Sequence, residues 1–317
     1  MLRRLLLSLF LLHPAAAPAQ DTPLRIVLGY PAGASSDILT RLLAEEMRKE
    51  LGRPVIVENK TGAGGIVGTQ AVKDAPKDGN TILLTPTATM AIFPHSYGDR
   101  LRYDPFRDFV PVSHVAGFQL DLAVGPGVPA KTLAEYVALV KKDSKAGYYA
   151  SAAAGSIPHF LGVMFAKTAG IDMAHVPYKG TAPALQALAA GEISAISTVV
   201  ADIATLVKSG KARLLATGGK KRSAQFPDVP TFREAGYDLE GESWYALFAP
   251  AGVPKEAVDK LSAAAVQAMH APALRQRVEA MGLEPTGLGP DELAAVLRAD
   301  YDRWGPVIRA SGFKPSN

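Results

Sequence analysis

No cysteine occurs anywhere in the 317 residues. That absence excludes disulfides and thiolate metal sites, and with them the lipid anchor that some secreted bacterial proteins carry on a cysteine. Metal ligation by histidine has little to work with. The six histidines, His13, His95, His114, His159, His175 and His270, show no i,i+4 pairing and no nearby carboxylate cluster. No segment beyond residue 20 reaches the roughly 18 consecutive apolar residues of a membrane-spanning helix. The phosphate-binding pattern GxxxxGK[ST], the dinucleotide pattern GxGxxG and the nucleophile elbow GxSxG are all missing. Gly62, Gly64 and Gly68 approach the dinucleotide spacing, but the second gap is one residue too long. No basic run is interleaved with aromatic residues, so nothing favours nucleic acid.

What is present begins with a leader pattern. MLRRLLLSLFLLHPAAAPAQ has Arg3 and Arg4, an apolar run from Leu5 to Leu12, and Ala17-Pro18-Ala19. This reads as a secretory signal, residues 1–19, cleaved after Ala19. Its removal takes two arginines and lowers the formal charge from +4 to +2. The expected product is a secreted, non-lipidated protein, periplasmic in a Gram-negative source. At 48% hydrophobic and 20% charged residues, the chain is of globular type.

One pattern is written twice. RIVLGY reads as a strand, PAGASS as a small-residue loop, and the next stretch as a helix from about Asp37 to Leu51, closed by Gly52. The strand PVIVEN, the loop KTGAGG, a helix to about Asp74 and the strand TILLT follow. From Gly147 the order returns: strand YYAS, loop AAAGSIP, helix HFLGVMFAKTA, strand MAHVPY, loop KGTAPA, helix LQALAA, strand EISAISTVV. Two βαβαβ units predict an α/β protein with parallel sheets and helices on both faces. A second echo pairs LAVGPGVP (Leu122 to Pro129) with LFAPAGVP (Leu247 to Pro254), each followed by an amphipathic helix. Duplication predicts two similar lobes. The first takes residues 20–115 and 225–317, the second 116–224.

In open α/β sheets, ligands bind beyond the carboxyl ends of the strands. The groups expected there are hydroxyls and backbone donors: Ser35, Ser36, Thr85, Thr87, Thr89, Ser151, Ser156, Tyr178, Thr181, Ser197 and Thr198. Turn and cap chemistry uses the same residue types, and Ser36 and Asp37 are placed to cap the first helix. The stretch GYPAGASSD joins a strand to a helix with small residues, at a helix start that offers unpaired N–H groups to an anion. Ser156 and His159, three residues apart, do not have the spacing of a catalytic triad.

The matching pieces YPAGASSDILTRLLAEEM, LGRPVIVENKTGAGGIVGTQAVKDAPKDGNTILL, YDPFRDFVPVSHVAG, HVPYKGTAPALQALAAGEI, SGKARLLATGGKKRSAQFPDVPTFREAG and ALFAPAGVP resemble the substrate-binding proteins of tripartite tricarboxylate transporters, the Bug-type receptors. The resemblance covers nearly the whole chain beyond the leader. It implies a two-lobed type II periplasmic binding protein fold without a cofactor, without a metal and without enzymatic activity. It implies a monomer that delivers a small mono-, di- or tricarboxylic or aromatic acid to membrane permease subunits. A receptor that signals to a membrane kinase has the same fold. A secreted hydrolase or isomerase using Ser156, His159 or Asp37 is the rival from another class.

Carried onto this sequence, the first carboxylate-binding loop is Tyr30, Ala32, Gly33, Ala34, Ser35 and Ser36, with Thr87 and Thr89 beside it. The second lobe adds Ser151, Gly155, Ser156, His159 and Tyr178. Family members often have a glycine where Ala34 stands. Amino-acid binders of the family often have an aspartate where Thr198 stands, which argues against an ammonium-bearing ligand here. Asp202, one helical turn later, is placed to take that role.

Overall fold

The computed structural model describes residues 22–314, so the leader assigned to residues 1–19 lies outside the described residues. The first unit runs β1 (Leu24–Leu28), α1 (Ser35–Leu51), β2 (Val55–Asn59), α2 (Ile66–Lys73) and β3 (Thr81–Pro86). A π-helical segment, Ala88–Ile92, leads into α3 (Phe93–Tyr97). A long strand β4 (Phe109–Gln119) and β5 (Asp121–Val124) precede α4 (Leu133–Lys142). The second unit is β6 (Tyr148–Ser151), α5 (Ile157–Ala169), β7 (Ala174–Pro177), α6 (Thr181–Ala190) and β8 (Ala195–Ile196). Then come α7 (Val200–Lys208), β9 (Arg213–Thr217), β10 (Glu242–Pro250), α8 (Lys255–His270), α9 (Pro272–Ala280), β11 (Glu284–Leu288) and α10 (Pro290–Ala310).

Among the described residues, eleven strands form two sheets, ordered β11-β4-β10-β3-β1-β2 and β7-β6-β8-β5-β9. The duplicated units are visible in the pairing. β1 lies parallel between β2 and β3, and β6 lies parallel between β7 and β8. The sheets are nevertheless mixed, which corrects the expectation of parallel sheets. β10 runs antiparallel to β3 and β4, β11 to β4, and β5 to β8 and β9. The antiparallel strands include the two echoes. β5 flanks the third strand of the second unit and β10 flanks that of the first, so each echo completes a unit it does not follow directly in the chain. The last strand of the second unit is also shorter than EISAISTVV suggested. It pairs regularly only at Ala195 and Ile196, because the chain then turns into α7.

Period-two burial explains why the central strands hold. Ile26 and Leu28 of β1 face one core, together with Leu39, Leu43 and Met47 of α1, while Val27 faces another on the opposite side of the sheet. Ile82 and Leu84 of β3 repeat the first orientation and Leu83 the second. A strand buried on both faces reads as a continuous apolar run, which is how RIVL and TILL appear in the sequence. In the second sheet, Ala150, Ile196, Ala123 and Leu214 meet Ala184 and Leu188 of α6 and Ile203 of α7. Among the described residues, no helix is long and apolar enough to cross a membrane.

Candidate functional site

A cavity of about 550 Å³ lies between the two lobes, lined from both. The loop after β1 forms one side. Asp37, buried in the first turn of α1, holds this loop. Its carboxylate accepts from Gly33 N–H at 3.1 Å, Asn59 Nδ2 at 2.9 Å and Arg41 Nε at 3.0 Å. Asn59 Nδ2 also donates to the Tyr30 carbonyl at 3.0 Å, so one amide fixes both ends of the turn. Burial alone would raise the Asp37 pKa. The hydrogen bonds from Arg41, Asn59 and Gly33, with the Arg41 charge, outweigh it and hold the carboxyl below its ordinary value. Asp37 is therefore a permanently charged structural anchor with its oxygens engaged, not a free base.

Four helices begin at this cavity. α1 starts behind Ala34, α5 behind Ser156, α6 behind Gly180 and α7 behind Val199, and all four of these residues line the wall. None of the four supplies a side-chain cap to its helix. Ser156 has a hydroxyl, but it donates to the Ala153 carbonyl at 2.7 Å, tightening the loop after β6. The first N–H groups of a helix have no acceptor within it and carry the positive end of its dipole. One of these donors is already engaged, since Ser35 N–H donates to Asp202 Oδ1 at 3.0 Å, from the opposite lobe.

The rest of the wall is largely apolar: Ile38, Phe93, Phe118, Leu120 and Leu185, with the rings of Tyr30 and Tyr245. Tyr245 stacks on Phe118 with ring centres 4.4 Å apart. The Tyr30 hydroxyl donates to the Gly64 carbonyl at 2.8 Å, and the Tyr245 hydroxyl lies 3.5 Å from Ser35 Oγ. Burial pushes both phenols well above their ordinary pKa, so they stay neutral. Among the described residues, Lys208 is the one basic side chain on the wall, and it is exposed.

Of the residues singled out from the sequence, Tyr30, Ala32, Gly33, Ala34, Ser35, Ser36, Ser156, Thr181, Thr198 and Asp202 are brought together on this wall. Thr85, Thr87, Thr89, Ser151, Gly155, His159, Tyr178 and Ser197 are not on it. Thr87 Oγ1 accepts from Trp244 N–H at 3.1 Å and from the Ser243 hydroxyl at 3.0 Å, joining β10 to the end of β3. Thr89 bonds the Thr85 hydroxyl and donates to the Pro86 carbonyl at 3.1 Å. Ser151 donates to the Ala153 carbonyl at 3.0 Å and meets His175 Nε2 at 2.7 Å. Gly155 N–H donates to His159 Nδ1 at 3.0 Å. His159 stacks on His175 with ring centres 3.9 Å apart. Tyr178 packs against the core of the second sheet. Ser156 and His159 thus spend their polar atoms on the loop, and no hydrogen bond joins them among the described residues. Among the described residues no group of three or more His, Cys, Asp or Glu is placed to hold a metal ion.

Sequence reasoning missed Phe93, Phe118, Leu120, Ser243 and Tyr245 on the wall. Phe118, Leu120, Ser243 and Tyr245 sit where the chain passes between the sheets. The echo between LAVGPGVP and LFAPAGVP marked that neighbourhood but gave no reason to choose these side chains.

Residues 39–313 match the model of the tripartite tricarboxylate transporter family receptor. A UPF0065 protein in the gbd 5′ region of Cupriavidus necator is 36% identical over 305 residues, covering 94% of this chain and 92% of that protein. Among solved structures, periplasmic binding protein BugD superposes with a TM-score of 0.87 at 31% identity, covering 93% of this chain and 99% of that one. An R. palustris protein solved with adipate superposes with a TM-score of 0.89 at 28% identity, with the same coverage.

Proposed function

From the premise that the chain belongs to the tripartite tricarboxylate transporter family of receptors, we propose that it captures one small carboxylate between its lobes and delivers it to a membrane permease. The observation that carries this reading is the convergence of four helix starts without side-chain caps on one cavity. Oriented backbone N–H groups serve as a counter-charge to an anion, so the site needs no buried arginine or lysine. The volume is in the range that holds a small molecule.

The assigned ligand contacts are the loop from Tyr30 to Ser36, Ser156 at the start of α5, and Thr198 and Asp202 around the start of α7. The first lobe takes residues 20–115 and 225–317 and the second 116–224; the passages from sheet to sheet between β4 and β5 and between β9 and β10 support this division. The protein acts as a periplasmic monomer after loss of residues 1–19, takes no cofactor and turns nothing over. A thermal-shift screen of carboxylic acids tests the reading. A ligand at a hundredfold its dissociation constant adds about 2.7 kcal/mol of stability. One bound acid per chain, recovered unchanged, is the expected result. Conversion of the acid would contradict a receptor role, and no shift with any carboxylate would contradict the ligand class.

A further inference from the structure

An acidic side chain already occupies part of the seat. Asp202 reaches from the first turn of α7 across the cavity to Ser35 N–H at the start of α1. The Ser35 hydroxyl and Thr181 lie beside this carboxylate and favour its charged form. Burial raises the Asp202 pKa, and the hydrogen bonding offsets that rise only in part. Behind it, Asp121 at the start of β5 is fully buried, and its Oδ1 accepts from Thr198 N–H at 3.2 Å. Burial raises the Asp121 pKa well above the carboxylate range, and the neighbouring Asp202 adds to the rise. Two acids therefore share one corner of the cleft. Among the described residues neither has a lysine or arginine bonded to it.

The opposite requirement would hold for a diacid. Its second carboxylate would need its own donors or a cation. In this corner it would instead meet a buried acid whose oxygen already holds the Ser35 N–H, in a place where burial disfavours a further carboxylate charge. The remaining wall offers Phe93, Phe118, Leu120 and the stacked ring of Tyr245. Those surfaces suit an uncharged aliphatic or aromatic body.

We propose that Asp202 is a specificity-determining residue that restricts the cavity to ligands with a single carboxylate and an apolar remainder. The proposal rests on the reading of this cavity as a carboxylate site. Asp202 acts as a tethered carboxylate: it fills one backbone donor site itself and leaves the other helix starts for one ligand carboxylate.

The test uses matched acids that differ only at one end, hexanoate against adipate and benzoate against terephthalate. Binding is measured by titration calorimetry on the purified protein and on Asp202→Asn, with folding of both checked by circular dichroism. The wild type should bind each monoacid at least tenfold more tightly than its diacid. In Asp202→Asn, which keeps shape and removes the acid, the ratio should fall below threefold through gain of the diacid. A wild type that binds a diacid as tightly as its monoacid overturns the proposal. So does a ratio left unchanged by Asp202→Asn, and in both cases the carboxylate reading stands. If none of the four acids binds either folded protein, the carboxylate reading fails and the proposal falls with it.

Discussion

Gly218 and Gly241 lie in backbone contact where the chain crosses between the lobes. Gly241 N–H donates to the Gly218 carbonyl at 2.8 Å, and a Cβ on Gly218 would fall 2.6 Å from the Gly241 Cα. Leu120 joins them, donating to the Gly241 carbonyl at 2.8 Å and accepting from Gly218 N–H at 2.7 Å. Two crossings that are far apart in sequence are thus bound to each other at one point. Gly218→Ala should therefore destabilise the protein by about 1–3 kcal/mol, the usual cost of overpacking a tight site. Urea unfolding gives the value, and an unchanged midpoint and slope would show that the crossing yields without cost.

A ligand that touches both lobes shifts the balance between open and closed forms toward closed. Small-angle scattering should give a smaller radius of gyration with a saturating ligand than without. The same radius in both conditions, with binding shown independently, contradicts closure about the Leu120, Gly218 and Gly241 joint.

Gly33 adopts φ +93° in the loop before α1, where L side chains are strained, and its N–H is tied to Asp37. Gly33→Val should distort the turn and cover backbone donors facing the cavity. Binding of the identified carboxylate should weaken at least tenfold, about 1.4 kcal/mol, while circular dichroism shows a folded protein. Ser35→Ala and Ser36→Ala remove only side-chain hydroxyls, so each should cost about 0.5–1.5 kcal/mol. Wild-type affinity in folded Gly33→Val would remove the anion from this loop.

The stacked pair His159 and His175 makes a pH prediction. Burial lowers His159 to about 4, and burial with the His159 charge lowers His175 to about 3. The neutral rings are favoured in the folded state, whereas the unfolded chain takes up protons near the ordinary value of about 6.5. Their stabilising contribution is full above about pH 6.5 and declines as pH falls toward the folded values. The raised Asp121 and Asp202 act in the opposite direction, since the folded state holds their protons more tightly. The contribution of the pair is therefore read as a difference between two proteins. The loss of stability in His175→Gln should be largest at pH 7.5 and shrink by pH 4.5. A loss independent of pH would show that the ring is not held neutral.

The repeated units and the small-residue loops are legible along the chain, because they are local patterns. Alternating apolar residues in RIVL and TILL specify strands buried on both faces, and Gly52 and Gly170 close helices in the left-handed conformation. A small-residue loop before a helix is visible without knowing any distant neighbour, but the missing side-chain cap is not, since Ser36 and Asp37 stand in the sequence where a cap is expected and the helix starts behind Ala34 instead. The mixed sheets were not visible, since nothing in LFAP indicates which way a partner strand runs. The polar atoms of Thr87, Ser151 and His159 were not separable from those of the cavity wall, because a hydroxyl or imidazole near a strand end serves a turn or a ligand equally well. That Asp202 meets Ser35, 167 residues earlier in the chain, follows from the packing of distant segments. Pairing across that separation depends on how the joint at Leu120, Gly218 and Gly241 orients one lobe against the other, and no local pattern encodes that angle.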